Sequence, residues 1–291
     1  MKAEMLGVKC ITNLHIGTSG SVYGDIKSEV EKDAILGTPL IPSSGIKGAL
    51  RDFWQINRKE DVMDIFGSDA EEKAENKKGN CKFISGQLLF RPMRVSRGSY
   101  AYCLVTTPEL IEIMMNTVGS FQIDLNDIYK TSVEDLRKEF YEIKKELNEF
   151  QDEVTAGIVN TEKCSIEEVE GYKIKKFKPE NGLYKFLSKI SADIPVVIMK
   201  TQFFQMIDLP IVARNYLKEG KSSNLWYEEF VPHQSYFYFV LLWEKKEINI
   251  FLNFIQEICK QPVAFGGNNS VGYGYCKITP MGEMKEKNNG K

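Results

Sequence analysis

The chain has 291 residues, of which 43% are hydrophobic, and a formal net charge of −2 from 38 basic and 40 acidic residues. This length fits one large domain or two smaller ones with a buried core. The charge balance excludes the overall basic signature of many nucleic-acid-binding proteins, although a local basic groove is still possible. The six cysteines have no metal-ligand spacing, and with two histidines they argue against a structural zinc site. Without a long apolar run or a signal-peptide core, we expect a cytoplasmic protein with no membrane contact.

The first predicted elements are a strand over residues 4–14, a glycine-containing loop over 15–31 and a helix over about 43–56. A serine at the start of the helix, Ser43 or Ser44, can cap it. Its apolar positions follow the spacing of a buried helix stripe. They are Ile46, Leu50, Phe53 and Trp54.

The start of this helix has the features of an anion site. Free N–H groups and the positive end of the helix dipole suit a phosphate there. Lys47 and Arg51 lie one turn apart on a face beside that end. We therefore predict that Ser43, Ser44, Lys47 and Arg51 contact phosphates, and the same residues also fit an ordinary capped surface helix.

The middle of the chain alternates short elements with one long helix. We predict a short helix at 60–66, a mobile charged insertion at 68–82 and a helix over about 108–117. Strands are predicted over 86–95 and 101–106. Residues 179–206 are read as short helical pieces around a strand at 195–199.

Residues 132–154 carry apolar side chains alternately three and four positions apart, as in a helix that packs along a narrow seam. This pattern fits an amphipathic helix lying on its own domain, and it also fits a contact with a neighbouring subunit. The positions are Val133, Leu136, Phe140, Ile143, Leu147, Phe150 and Val154.

The last third predicts a long hairpin, with strands at 209–217 and 225–231 joined by a polar tip. A buried strand at 236–243, a second amphipathic helix and a last strand at 273–279 follow. The tail at 283–291 is predicted to be disordered. The order strand–helix–strand–strand–helix–strand with large insertions predicts an α+β, ferredoxin-like fold, the plan that also underlies the RRM class.

Three stretches resemble RAMP proteins of type III CRISPR effectors. Leu14–Gly17, Asp25 and Gly37–Arg51 resemble their N-terminal pattern, and Gly266–Gly274 resembles their C-terminal glycine-rich loop. Leu225–Pro232 is similar to the thumb segment of the repeated backbone subunit of the Cmr (type III-B) complex. This segment favours Cmr, and the backbone subunit of the related Csm (type III-A) complex is the alternative. The stretches occur in the family's order across nearly the whole chain. Ser43 departs from the pattern, because the family often has glycine there.

The resemblance implies a single RAMP domain over residues 1–291, a palm with insertions at about 57–85 and 108–194 and a β-hairpin thumb at about 209–234. It implies self-association into a helical backbone along a CRISPR RNA, together with other Cmr subunits. The thumb of each subunit would interrupt the duplex of guide and target RNA at regular intervals. It also implies an endoribonuclease that cuts the target RNA and needs no organic cofactor.

Asp25 matches the family's loop acidic residue and is the predicted catalytic residue. RNA cleaves itself when a 2′-OH is aligned with the neighbouring phosphate, so a protein needs to orient, deprotonate and neutralise. A carboxylate can accept the proton or hold a divalent cation, Mg²⁺ or Mn²⁺. From the residue pattern alone, Asp25 also fits an ordinary solvated loop.

Four further residues are candidates for the same chemistry. His15 ends the first strand and could act as acid, base or phosphate ligand, but a histidine satisfied by local hydrogen bonds fits equally. Tyr227, Glu228 and Glu229 lie on the thumb, which could bring a phenol or a second carboxylate to a neighbouring subunit's scissile phosphate. Alternation along a strand also allows these side chains merely to face opposite sides of the hairpin.

The glycine-rich loop is the second predicted RNA contact. Glycines let the backbone approach a phosphate or a base, and they can equally form a tight turn before the last strand. The candidate contacts are Gly266, Gly267, Asn268 and Ser270.

Two other functions remain open from the sequence. One is a backbone subunit that binds guide RNA without chemistry. The other is a RAMP endonuclease that matures CRISPR transcripts, which the early His15 allows but the long thumb disfavours.

Overall fold

The computed structural model describes residues 1–17, 26–57, 60–68, 77–149, 155–158, 165–169, 173–177, 181–218, 221–245 and 248–284. Within these ranges the strands are β1 Lys2–Cys10, β2 Ile26–Ser28, β3 Leu40–Ile41, β4 Cys81–Phe83, β5 Gly86–Arg97, β6 Tyr102–Thr106, β7 Ile123–Asp124, β8 Thr155–Ile158, β9 Ser165–Ile166, β10 Lys173–Lys176, β11 Val196–Ile198, β12 Ile211–Lys218, β13 Lys221–Glu229, β14 Tyr236–Trp243, β15 Val263–Ala264 and β16 Tyr275–Met284. The helices are α1 Ser43–Asn57, α2 Val62–Phe66, α3 Pro108–Ser120, α4 Asn126–Tyr129, α5 Val133–Glu149, α6 Asn181–Ser191, α7 Thr201–Met206 and α8 Asn249–Ile258. Single 3₁₀ turns lie at Glu167–Val169 and Asn269–Val271.

The chain divides into two compact units. The first comprises Met1, Gly7–Gln87 and Asp208–Thr279, and the second comprises Lys2–Leu6, Leu88–Ile207 and Pro280–Lys291. The predicted α+β class is confirmed, while the finer ferredoxin-like order and the single domain over 1–291 stay predictions.

The core of the first unit is built on β14, all of whose residues are buried. Its continuous apolar and aromatic sequence suits a strand covered on both faces, and it pairs antiparallel with β4. Rings from three helices pack edge-to-face nearby, with Phe254 at 5.2 Å from Trp54 and 5.5 Å from Phe66 between ring centroids. Phe66 in turn stacks on Phe83 of β4 at 5.5 Å. This aromatic cluster fixes α1 and α2 beside β4.

The predicted hairpin is present as β12 and β13, which pair antiparallel with Ile211 opposite Glu229 and Ala213 opposite Tyr227. Both strands run closer to the turn than predicted, since residues 221–224 lie in β13 rather than in a polar tip. Polar side chains are compatible with an exposed ladder because its hydrogen bonds come from the backbone. β2 adds to β13 in parallel, with Ile26 opposite Tyr227.

In the second unit, β10, β8, β11, β6 and β5 are neighbours in that order. Helix α5 packs on α3 and α6 of the same unit, and it buries Leu136, Phe140, Ile143 and Leu147. The heptad pattern is therefore used, over its described part, within this unit. Phe150 and Val154 of the pattern lie outside the described residues.

Two predictions for the N-terminal part are wrong in detail. The first strand ends at Cys10 rather than at residue 14, because the N–H groups of Ile11 and Thr12 both turn to the carbonyl of Tyr275, at 2.9 and 3.2 Å. The predicted loop at 15–31 contains β2 and a bridge between Gly17 and Val30.

Two other segments are more ordered than predicted. Within the insertion at 68–82, Ser68 N–H donates to the Lys77 carbonyl at 2.9 Å and Asn80 N–H to the Asp64 carbonyl at 2.8 Å. Residues 81–83 form β4, while 69–76 lie outside the described residues. The last strand reaches Met284, where it pairs with Ile123, so the predicted disordered tail begins too early. Residues 285–291 lie outside the described part.

The helices of the described chain include none that is long and apolar enough to span a membrane.

Candidate functional site

His15 follows β1 in the first unit and is held by both ring nitrogens. Nδ1 lies 2.7 Å from the carbonyl oxygen of Glu229, and Nε2 lies 2.9 Å from the hydroxyl of Ser28. Since a carbonyl can only accept, Nδ1 carries a proton and donates it to the Glu229 carbonyl. With a relative exposure of 6%, His15 has the local hydrogen bonds of a structural histidine.

Glu229, at the end of β13, directs its carboxylate to the segment that follows β2. It accepts a hydrogen bond from the backbone N–H of Val30 at 2.9 Å. It also accepts one from Lys32 Nζ at 3.0 Å. Glu229 is buried, and the backbone donor and the cation offset the cost of taking its carboxylate out of water.

Glu228 has a different set of partners. Its Oε1 accepts from Trp226 Nε1 at 2.8 Å, and its Oε2 accepts from Arg214 Nε and Asn268 Nδ2, each at 3.1 Å. Burial raises the pKa of Glu228, but the hydrogen bonds from Trp226 and Arg214 outweigh it and hold the pKa below its ordinary value. The carboxylate is therefore ionised at neutral pH.

Tyr227 lies between these two glutamates and is 40% exposed. It pairs with Ile26, the residue that follows Asp25 in the sequence. Asp25 itself, the predicted catalytic residue and metal ligand, lies outside the described residues.

The glycine-rich loop contacts the chain's own N-terminal segment. Gly267 N–H donates to the His15 carbonyl at 2.9 Å, and Gly274 N–H donates to the Asn13 carbonyl at 2.8 Å. Gly266 has a φ of +70°, and a Cβ there would lie 2.2 Å from the His15 carbonyl oxygen. Close packing in this chain therefore already accounts for that glycine. Asn268 donates to Glu228, and Ser270 is exposed.

A second part of the first unit forms a lysine-lined cleft of about 650 Å³ at the start of α1. The predicted residues Ser43, Ser44 and Lys47 line it, but Arg51 does not. The capping prediction is wrong, because the Pro42 carbonyl accepts from Ile46 N–H at 3.0 Å and both serines therefore lie inside the first turn.

Three more lysines, Lys77, Lys78 and Lys82, line the same cleft, and no acidic side chain is among its described lining residues. At its rim, Lys77 lies 3.5 Å from Asp64 and Lys82 lies 3.3 Å from Glu244. These lysines were not predicted to be site residues, because the charged composition of residues 68–82 predicts a mobile insertion. The pair Lys77-Lys78 followed by Gly79 is the sequence pattern that could have indicated a basic surface in this segment.

The described residues offer no group of three histidine, cysteine, aspartate or glutamate side chains that could hold a metal ion. Glu228 and Glu229 do not fit that role, since protein donors occupy three of about four acceptor sites in Glu228, and the Glu229 carboxylate is buried with a donor on each oxygen. Asp25 is the residue that was predicted to bind a metal, and it lies outside the described residues.

The fold and the cleft together define an α+β protein with a lysine-lined cleft. The model of the RAMP superfamily matches residues 8–277, and the chain belongs to that superfamily. The CRISPR system Cmr endoribonuclease Cmr4 of Pyrococcus furiosus is 27% identical, with 96% of each chain covered.

Solved structures share the fold. A type III-B Cmr-beta structure bound to cognate target RNA has a chain with a TM-score of 0.75 at 22% identity, covering 96% of this chain and 97% of that one. Oligomeric Cmr4 from Pyrococcus furiosus gives a TM-score of 0.64 at 19% identity, covering 98% of this chain and 100% of that one.

Proposed function

We propose that this chain is the repeated backbone subunit of a type III-B CRISPR (Cmr) ribonucleoprotein, which binds a guide CRISPR RNA and cleaves complementary target RNA. The observation that carries this proposal is the match to a relative named an endoribonuclease over 96% of both chains. The match includes the segments that form the hairpin, the glycine-rich loop and α1. A cytoplasmic location belongs to the same proposal.

Guide binding is assigned to the cleft at α1. Four lysines and the first-turn serines there present cations, hydroxyls and helix N–H groups on one surface. Such groups bind phosphates and carry no information on sequence, which suits a protein that must accept any guide. The overall charge of −2 does not oppose this, because binding depends on the local field.

Cleavage is assigned to attack of a ribose 2′-OH on its neighbouring phosphate, which breaks the bond to the 5′-oxygen of the next nucleotide and leaves a 2′,3′-cyclic phosphate. Asp25 is the catalytic carboxylate beside the 2′-OH, whose proton is lost, and the departing 5′-oxygen takes a proton from water. His15 and Glu229 support this site by fixing the segments on either side of residues 18–25. Among the catalytic candidates that the structure describes, Tyr227 is the exposed one and the one available to RNA. Self-association along the guide would bring the hairpin of one subunit to the next subunit's RNA.

A divalent cation is proposed for Asp25 and the RNA phosphates alone. When bound, such an ion neutralises charge that develops on the phosphate. Chelation of divalent ions is expected to stop cleavage while guide binding persists, and Mg²⁺ or Mn²⁺ is expected to restore cleavage. Full cleavage in the presence of chelator would remove the ion from the proposal.

The deciding experiment is target cleavage by the assembled complex with guide RNA. We expect cuts at even spacing, and we expect Asp25→Ala to reduce the cleavage rate by about 100-fold or more while guide affinity changes less than about 2-fold. The matched control is Asp127→Ala, an exposed aspartate on α4 in the second unit. Full cutting by Asp25→Ala would remove the assignment of Asp25.

A non-catalytic scaffold is the second candidate. It is favoured by the observation that His15, Glu228 and Glu229 are all engaged by the chain's own groups. A wild-type complex that binds guide and target but never cuts would establish it.

A further inference from the structure

Glu228 joins three separate parts of the first unit through its carboxylate. Arg214 comes from β12, Trp226 comes from β13, and Asn268 comes from the glycine-rich loop. The Arg214 guanidinium also lies 4.7 Å from the centroid of the Tyr273 ring, at the far end of that loop. Phe230, just after β13, packs edge-to-face on the same ring at 6.1 Å.

These contacts leave Glu228 little capacity for substrate. An ionised carboxylate has about four acceptor sites, and three are used here by protein donors. The side chain is only 13% exposed. A group that takes a proton from RNA, or binds a metal, needs an oxygen directed at that partner.

We propose that Glu228 is a positioning residue, which fastens the hairpin β12–β13 to the glycine-rich loop and thereby fixes the direction of the hairpin. The proposal uses the proposed RNA-cleaving function only for its kinetic readout. The neighbouring Glu229 reinforces it from the opposite face of β13, through Val30 and Lys32. The base of the hairpin is thus tied on both faces.

The first test measures the fastening without any RNA. Hydrogen exchange of the backbone amides at 211–229 is followed in the purified full chain. Glu228→Ala is expected to speed exchange by about 10-fold or more, because local opening no longer breaks the hydrogen bonds from Arg214 and Asn268. The control Ser222→Ala removes an exposed contact to Asn215 on the same hairpin, 2.8 Å long, and is expected to leave exchange at its base unchanged.

The second test exchanges the donor and the acceptor. Asn268→Asp alone places two carboxylates about 3 Å apart, and like charges at that distance repel strongly. The double variant Glu228→Gln/Asn268→Asp restores a donor facing an acceptor between the hairpin and the loop, but it loses the Arg214 contact, because the amide nitrogen replaces the oxygen that accepts from Arg214 Nε. We expect Asn268→Asp to speed exchange by about 10-fold and the double variant to exchange about 3-fold more slowly than Asn268→Asp.

The third test separates positioning from catalysis in the assembled complex. Misplacing the hairpin is expected to lower the cleavage rate of Glu228→Ala and of Asn268→Asp by about 10-fold or more, with the guide affinity of Glu228→Ala within about 2-fold of wild type. The double variant is expected to recover part of the cleavage rate lost in Asn268→Asp, and its pH–rate profile is expected to keep the wild-type shape. A catalytic glutamate predicts that the double variant stays as inactive as Glu228→Ala.

Each outcome either supports or overturns the positioning role of Glu228. Unchanged exchange in Glu228→Ala, or a double variant that recovers neither exchange nor cleavage, would overturn the positioning role. If the wild-type complex does not cut RNA at all, the proposed function fails, and the exchange measurements still decide whether Glu228 fastens the hairpin.

Discussion

At the scale of single residues, Gly266 illustrates how close packing rather than ligand binding can require a glycine. Its φ of +70° and the 2.2 Å separation between a built Cβ and the His15 carbonyl oxygen exclude any side chain without backbone movement. We predict that Gly266→Ala lowers the free energy of unfolding by about 1–3 kcal/mol, from strained backbone and displaced neighbours. Urea unfolding measures this loss.

Gly48 is the matched control for that substitution. It lies inside α1, is exposed, and a Cβ there would meet nothing within 4 Å. Alanine is favoured over glycine in an exposed helix interior by about 0.5–1 kcal/mol, so Gly48→Ala is expected to stabilise the protein. Equal effects of the two substitutions would contradict the packing argument.

At the scale of elements, α5 and α6 are connected by a buried cap. The Glu139 carboxylate on α5 accepts from the N–H groups of Gly182 and Leu183, at 2.9 and 2.7 Å, in the first turn of α6. These N–H groups have no partner within their own helix. We predict that Glu139→Ala lowers the free energy of unfolding by about 1–3 kcal/mol, because the cap is lost and two N–H donors are left without an acceptor.

The control for this prediction is Glu142→Ala, one turn further along α5 on its exposed face. Surface substitutions of this kind change stability by less than about 0.5 kcal/mol. A Glu139→Ala protein as stable as Glu142→Ala would mean that water replaces the cap at no cost.

The elements also explain how far the sequence predicts this fold. Long periodic or apolar segments were found correctly, because α1, α5 and β14 carry their burial pattern in their own residues. Short strands such as β2 and β4 were missed, because each has only three residues and is stabilised by a distant partner strand. Local sequence carries no signal of such pairing.

The candidate site shows the same division. Lys47 was predicted because it lies on a recognisable helix, whereas Lys77, Lys78 and Lys82 reach the same cleft from a segment read as mobile. The partners of His15 and Glu229 lie as far as 214 residues away along the chain, and only the fold brings them together.

At the scale of the whole molecule, the charged residues are unevenly distributed although the net charge is small. A net charge of −2 coexists with a cleft that four lysines line. Because phosphate binding releases counterions, the dependence of affinity on salt counts the lysines that meet the RNA. For single-stranded RNA, the slope of log K against log salt concentration is about −0.7 for each phosphate neutralised.

We therefore predict that Lys47→Ala and Lys78→Ala each reduce the magnitude of this slope by about 0.7 for guide RNA binding, and that the double variant reduces it by about 1.4. Titrations of the purified chain at several salt concentrations measure it. The control is Lys260→Ala, which is expected to keep the wild-type slope. Lys260 is exposed, follows α8 in the sequence and pairs with Glu257 at 2.6 Å.

If Lys78→Ala keeps the wild-type slope while Lys47→Ala does not, the RNA follows α1 and does not contact the side of the cleft that Lys78 lines. An unchanged slope in both variants would remove the cleft as the guide-binding surface, because a bound phosphate next to either lysine must release its counterion.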